Sequence, residues 1–282
     1  MVIHRMDHKM VLSKLPDRKV TANKNDFGRI LLLCGSQGYT GAAALAAMGA
    51  LRCGAGLVYL GVPRCIYEIE AVKLLEPIVF PLDDCEGKLS ASAINEIEKL
   101  LDRMDAVLIG PGLGCSCGTF AVTEYVLTHF SGPVVLDADG INVISKHKDI
   151  LRGRTNPTIL TPHEGEFLRL YPSLADGRIA SAADLALQCN SIIVLKGHHT
   201  VITDGSAYYL NETGNPGMAV GGSGDVLAGI ITALLGQGLS PLDAAACGAW
   251  LHGAAGDLCA QQFGQYGMLP SDMISVLPRL LK

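Results

Sequence analysis

The sequence predicts an α/β fold, a central and mainly parallel sheet with helices on both faces. Three observations predict it. Six nearly unbroken apolar runs end in Gly, Pro, Asp or Lys, as strands buried on both faces do. Ala-rich or polar-patterned segments fall between several of them, which is the βαβ rhythm. Hydrophobic residues make up 49% of the 282 and charged ones 17%, enough for a large core and too apolar for disorder.

In chain order the runs are RILLLCG (29–35), GLVYLGV (56–62), AVLIGPG (106–112), PVVLDADG (133–140), TILTPHE (158–164) and SIIVLKG (191–197). Helical segments include AAALAAMGALRCG and SASAINEIEKLLDRM. VLKGHHTVITDG reads as a strand, a tight connection and a second strand. After 224 the rhythm changes. DVLAGIITALLGQG and PLDAAACGAWLHGAAGDLCAQQ are apolar nearly all round, as buried, closely packed helices are. No linker, repeat or low-complexity segment interrupts the pattern.

Composition narrows the function classes. The net charge of −5 comes with no basic stripe carrying interleaved aromatics, so nucleic acid is not an expected partner. The nine cysteines form no CxxC pair; Cys115 and Cys117 in GCSCG come nearest. Cys34 and Cys53 sit at apolar positions and read as small hydrophobes, so neither a disulfide framework nor a metal site is expected. The N-terminus lacks the apolar core of a signal peptide, and no uncharged apolar stretch reaches about 20 residues. A soluble, cytoplasmic protein is the expectation, with no membrane partner.

In open α/β sheets ligands bind beyond the carboxyl ends of the strands, so the polar residues there carry the chemistry. GGSGDVLAG (221–229) opens a buried helix. Successive N–H groups at such a start can cradle an anion at the positive end of the helix dipole. Asp225 then needs a reason. It reads either as an N-cap or first-turn acid, or as a base. A carboxylate about 4 Å from a phosphate opposes it by roughly 4 kcal/mol at an effective dielectric near 20, which suits a group that takes a proton from an attacking hydroxyl.

In TILTPHEGEF, Thr161, Pro162 and Glu164 read as N-cap, N1 and N3 of a capping box. His163, at the strand-to-helix junction, is left over as a site candidate. Asp137 and Asp139 share a face if their strand continues, or form a D-G turn. Lys196 reads as a solvated strand-end lysine or one that reaches a phosphate; His198 and His199 read as exposed turn residues. GSQGYTGAAALAA and GPGLG are further glycine-rich junctions. Neither matches G-x-G-x-x-G, and no P-loop is present.

Taken together, KNDFGRILLLCGSQGYTGAAALAAMGALRCGAGLVYL, VLIGPGLG, VVLDADGIN, ILTPHEGEFLRL, VLKGHHTVITDG, NPGMAVGGSGDVLAGIITALLGQG and WLHGAAGD resemble the ADP/ATP-dependent NAD(P)H-hydrate dehydratases, a branch of the ribokinase-like superfamily. The resemblance implies one ribokinase-like domain over residues 1–282 with no separate lid; many family members add an N-terminal epimerase domain, and none is expected here, with 282 residues and the match starting near Lys24. It implies an enzyme that phosphorylates the ring hydroxyl of the hydrated S-epimer of NADH or NADPH and then releases phosphate. ADP is the implied donor, ATP the other choice, with Mg2+ accompanying the nucleotide and no metal-ligating residue assigned.

Position by position, Asp225 resembles the catalytic base, and Gly222 and Gly224 the anion-hole glycines. Lys196, Gly197, His198, His199 and Thr200 match the adenine-nucleotide loop. Gly41, Ala42, Gly112, Gly114, His163 and Asp225 match positions lining the hydrate. The family tendency is a homotetramer, fed by a separate epimerase. Two rival readings share parts of this pattern: a kinase of the same superfamily, such as a hydroxyethylthiazole kinase, and a catalytically silent nucleotide-binding protein.

Overall fold

A computed structural model describes residues 2–156 and 158–282. Its strands are β1 (Ile3–His4), β2 (Arg29–Leu33), β3 (Leu57–Pro63), β4 (Ile78–Leu82), β5 (Asp84–Cys85), β6 (Lys88–Leu89), β7 (Ala106–Ile109), β8 (Val134–Leu136), β9 (Thr158–Leu160), β10 (Ser191–Leu195), β11 (Thr200–Thr203) and β12 (Tyr208–Asn211). Ten of them form one sheet in the order β1-β12-β11-β10-β9-β8-β7-β2-β3-β4; β5 and β6 form a separate hairpin. Every neighbour pair from β10 through β4 is parallel, whereas β10–β11 and β11–β12 are antiparallel. All six apolar runs are strands of this sheet.

The runs are unbroken because each strand feeds two cores. Ile30 and Leu32 of β2 face one, Leu31 and Leu33 the other. The first core is built with α2 (Thr40–Arg52), α10 (Ser223–Gly236), α11 (Pro241–Phe263) and α12 (Pro270–Val276). The second is built with α4 (Ile94–Leu101), α5 (Cys117–His129), α6 (Asp139–Ile144), α7 (Asp149–Arg152), α8 (Glu164–Leu170) and α9 (Arg178–Cys189). Two short helices, α1 (His8–Lys14) and α3 (Tyr67–Lys73), complete the fold. Cys34 and Cys53 are buried in the first core, and all nine cysteines are free. Among the described residues no helix is long and apolar enough to cross a membrane.

The small residues of α2 and α10 let these helices touch backbone to backbone. A Cβ on Gly229 would stand 2.1 Å from the Ala46 carbonyl oxygen. That contact fixes where the first turn of α10 sits over the sheet, and so where Asp225 sits.

Strand β4 lacks a clear sequence signal because Pro81 interrupts it. Its place at the sheet edge, paired only with β3, tolerates a residue without an N–H. Two junctions differ from the sequence reading. The capping box lies two residues later: α8 starts at Glu164 with His163 as N-cap, and Glu166, not Glu164, closes the box. Asp137 and Asp139 do not share a strand face. β8 ends at Leu136, Ala138 turns the chain at φ +47°, and Asp139 begins α6.

Candidate active site

The carboxyl ends of β8, β9 and β10 deliver Asp137, Thr161 and Lys196 to one point. Lys196 Nζ donates to Asp137 Oδ1 at 2.8 Å, and Thr161 Oγ1 donates to the same oxygen at 2.7 Å. Asp137 is 1% exposed. Glu166 Oε2 lies 3.9 Å from the ammonium. Burial alone would lower the Lys196 pKa, but the charges of Asp137, Glu166 and Asp225 outweigh it and leave it raised. Lys196 is therefore a charged lysine held inside the site, not a solvated strand-end residue.

The N-terminus of α10 closes over this pair. Gly222 is its N-cap at φ +97°, a left-handed conformation that favours glycine, and no side chain caps the helix. A Cβ on Gly224 would lie 3.2 Å from Lys196 Nζ and 3.9 Å from Asp137 Oδ2. Asp225 is the third helical residue, acidic in the first turn but not the cap. Burial first, and then the Asp137 charge, push its carboxyl up to about 6, with Lys196 pulling the other way. A carboxyl near 6 beside free helix N–H groups and a lysine can accept a proton near neutral pH.

His163 Nδ1 accepts from the N–H groups of Gly165 (3.0 Å) and Glu166 (3.3 Å), which leaves the ring hydrogen on Nε2, facing Glu166 Oε1 at 3.4 Å. Glu166 Oε2 accepts from the His163 N–H at 2.9 Å. His163 thus has a structural role, and its half-exposed ring also faces solvent at the sheet's carboxyl end.

The other sequence-derived candidates fall around this centre. Gly112, at φ +62°, touches Ala42: a Cβ there would meet the Ala42 Cβ at 2.8 Å. Gly41, beside Ala42, opens α2 onto free space. One turn along α2, Leu45 packs on Gly222, at 2.5 Å from a would-be Cβ. Gly114 donates its N–H to Asp139 Oδ2 at 2.8 Å, so the second aspartate braces the GPGLG loop, away from Lys196. Gly197 to Thr200 form the β10–β11 turn, in which the Thr200 hydroxyl donates to the Gly197 carbonyl and the His198 and His199 rings stack.

Sequence reasoning assigned no role to Glu166, His252 or Asp257. Buried His252 in α11 donates from Nε2 to the Ser223 carbonyl at 2.8 Å and steadies the first turn of α10. Burial drives its imidazole down to about 4, so it is neutral. Asp257 accepts from the Gly214 N–H (2.9 Å) and Asn215 Nδ2 (3.0 Å), anchoring the loop that leads to GGSGD. Asn215 before Pro216 carries an N-cap and N1 signal that could have revealed one end of this anchor; Asp257 and His252 on an Ala-rich helix carry none. A cavity of about 300 Å3 around Arg154 lies at the opposite end of the strands. There Arg154 donates to the carbonyls of Leu127, Phe130 and Gly132 and fastens the end of α5.

A family model described as NAD(P)H-hydrate dehydratase matches residues 30–279. The bifunctional NAD(P)H-hydrate repair enzyme Nnr of Moorella thermoacetica is 43% identical over 277 residues, which cover 96% of this chain and 52% of that protein. The chain spans about half the length of the curated relatives it matches. Among solved structures, the ADP/ATP-dependent NAD(P)H-hydrate dehydratase from Bacillus subtilis, co-crystallized with ATP/Mg2+, superposes with a TM-score of 0.83 at 30% identity, over 99% of this chain and 98% of that one. A ribokinase-like superfamily protein from Enterococcus faecalis gives a TM-score of 0.87 at 27% identity, over 99% and 95%.

Proposed function

The chain belongs to the NAD(P)H-hydrate dehydratase family, and we propose that it dehydrates the S-epimer of hydrated NADH and NADPH at the expense of ADP, giving AMP and phosphate, or of ATP. One observation carries the reading: Asp225, with its carboxyl raised to about 6, stands in the first turn of an uncapped helix beside Lys196. A pure anion clamp gains nothing from that carboxylate; a phosphoryl transfer that must deprotonate its nucleophile does.

In this mechanism Asp225 takes the proton of the ring hydroxyl as the oxygen attacks the terminal phosphorus of the donor. The new O–P bond forms and the phosphoanhydride bond breaks, with AMP leaving when ADP is the donor. The N–H groups at Gly222 and Gly224 face the transferred phosphoryl, and Lys196 offsets its charge. Phosphate then leaves with the electrons of the ring C–O bond, a ring proton is lost, and the double bond is restored. Hydroxide is a poor leaving group; phosphate is a good one. Gly41, Ala42, Gly112, Gly114 and His163 line the hydrate side, and Gly197 to Thr200 the adenine side.

Magnesium would arrive with the nucleotide. Among the described residues no group of three His, Cys, Asp or Glu side chains is arranged to hold a metal. Nucleotide-borne magnesium needs only one or two protein carboxylates. Asp137 Oδ2, whose partner oxygen is taken by Thr161 and Lys196, fits that demand. When bound, the ion would neutralise phosphate charge.

The reading also includes a cytoplasmic location, which rests on the sequence pattern, and a homotetramer supplied with the S-epimer by a separate epimerase, which rest on family resemblance. Turnover of each purified hydrate with ADP and with ATP, followed at the reduced-nicotinamide absorbance band, tests the proposal. Recovery of the band with release of phosphate supports it. A phosphorylated product that accumulates without recovery would point to a kinase, and nucleotide binding without either product to a silent binder.

A further inference from the structure

Two cations near the GPGLG loop, Lys88 of β6 and Arg169 of α8, are not used by the chemistry above. The Lys88 side chain lies over Gly114, where a Cβ would stand 2.9 Å from both Lys88 Cδ and Cε. Gly114 adopts φ +74°, a left-handed conformation that favours glycine, and its lack of a Cβ lets the lysine cross it. Arg169 of α8 donates from Nη1 to Asn142 Oδ1 at 2.7 Å, and Asn142 Nδ2 donates to Asp139 Oδ1 at 3.1 Å. Asp139 is the acid at the centre of this group, and both its oxygens are engaged, by the Gly114 N–H on one and by Asn142 and Cys115 on the other. Neither Lys88 nor Arg169 has an ion-pair partner among the described residues. Asp83, close in the chain to Lys88, is paired with Arg64. The Cys115 thiol, next in the chain to Gly114, is raised by burial and then by Asp139, and both Lys88 and Arg169 pull it back, so the two charges act on one place.

We propose that Lys88 and Arg169 bind a phosphate group of the hydrated dinucleotide beside Gly114. This rests on the proposed function, which puts the hydrate against Gly112 and Gly114. A lysine packed on Gly114 and an arginine tied to the same glycine through Asn142 and Asp139, neither with an ion-pair partner among the described residues, form a site for a dianionic phosphate and not for a neutral ring. The hydrate offers two such groups, the pyrophosphate bridge and, in hydrated NADPH, the 2′-phosphate. The pair sets how tightly the dinucleotide is held, separately from the donor nucleotide at Lys196.

The test compares Lys88→Ala, Arg169→Ala and the double variant with Lys88→Arg and Arg169→Lys, using hydrated NADH, hydrated NADPH and ADP. The KM for hydrate rises about tenfold or more per cation removed, the ADP KM stays the same, and the conservative variants recover most of the loss. A rise confined to hydrated NADPH identifies the 2′-phosphate; an equal rise for both hydrates identifies the pyrophosphate. Unchanged hydrate KM values in a double variant with wild-type Tm overturn the proposal, as does a change in the ADP KM alone. If the wild-type chain turns over neither hydrate, the proposed function fails independently, and calorimetric titration with NADPH then decides. Weaker NADPH binding by the double variant supports the phosphate site, and equal binding overturns it.

Discussion

Lys196 Nζ sits 2.8 Å from Asp137 Oδ1, joining the ends of β10 and β8 across β9. Asp137 is buried and Lys196 nearly so, so the pair has both a structural and a functional consequence. Lys196→Ala leaves the Asp137 carboxylate buried without its partner, which costs up to about 3–5 kcal/mol. In the surviving folded protein the donor KM rises about tenfold or more, and the hydrate KM rises less. Thermal melts and steady-state kinetics measure both; an unchanged donor KM would put Lys196 outside the phosphate path.

Asp225→Asn keeps the side-chain shape and removes the charge. Turnover falls by about 10²–10⁴-fold, while nucleotide binding persists or tightens because the carboxylate no longer opposes phosphate. A first-turn acid with no role in proton transfer would leave turnover near normal. Rate and nucleotide affinity measured on the same variant separate the two.

The raised Asp225 carboxyl also sets a pH dependence. A base must be unprotonated, so kcat/KM climbs as pH rises through about 6. Stability runs the other way. The folded value of about 6 lies above the ordinary 3.8, so the contribution of Asp225 is full below about 3.8 and lost as pH rises through 6. Asp225→Asn therefore stabilises the fold at neutral pH, by about 1–2 kcal/mol after solvent screening. A lower Tm for Asp225→Asn at pH 7.5 would contradict the assigned shift.

His252 has the opposite sign. Its folded value of about 4 lies below the ordinary 6.5, so the stability it contributes is present above 6.5 and is lost as pH falls towards 4. The loss amounts to about 3 kcal/mol at most. Replacing His252 with Asn should flatten the fall in Tm between pH 7 and pH 5, and an unaltered slope would show that other groups govern it.

His163→Ala removes the cap of α8 together with a candidate hydrate contact. It costs about 1 kcal/mol of stability and raises the hydrate KM. His163→Asn restores an acceptor for the helix N–H groups and returns most of the Tm without the ring. Full kinetic recovery in His163→Asn would mean that capping is the residue's whole contribution.

The sequence by itself determined the strands that bear the candidate site and the motifs at their ends. Unbroken apolar runs are legible because a strand with a core on each face has no polar position to spare, and Ile30 to Leu33 show this directly. GGSGD, TPHEGEF and VLKGHHT were legible because their residue types are scarce in such a core. The strand order, β10 beside β9 beside β8, was decided only by the tertiary structure. So were the pairing of Lys196 with Asp137 over 59 positions, the diversion of Asp139 to Gly114, and the shift of the helix cap from Thr161 to His163. Local pattern sets which face a residue prefers, but a buried charge is fixed by whichever partner the packed sheet and helices bring within hydrogen-bonding distance, and that partner is remote in sequence.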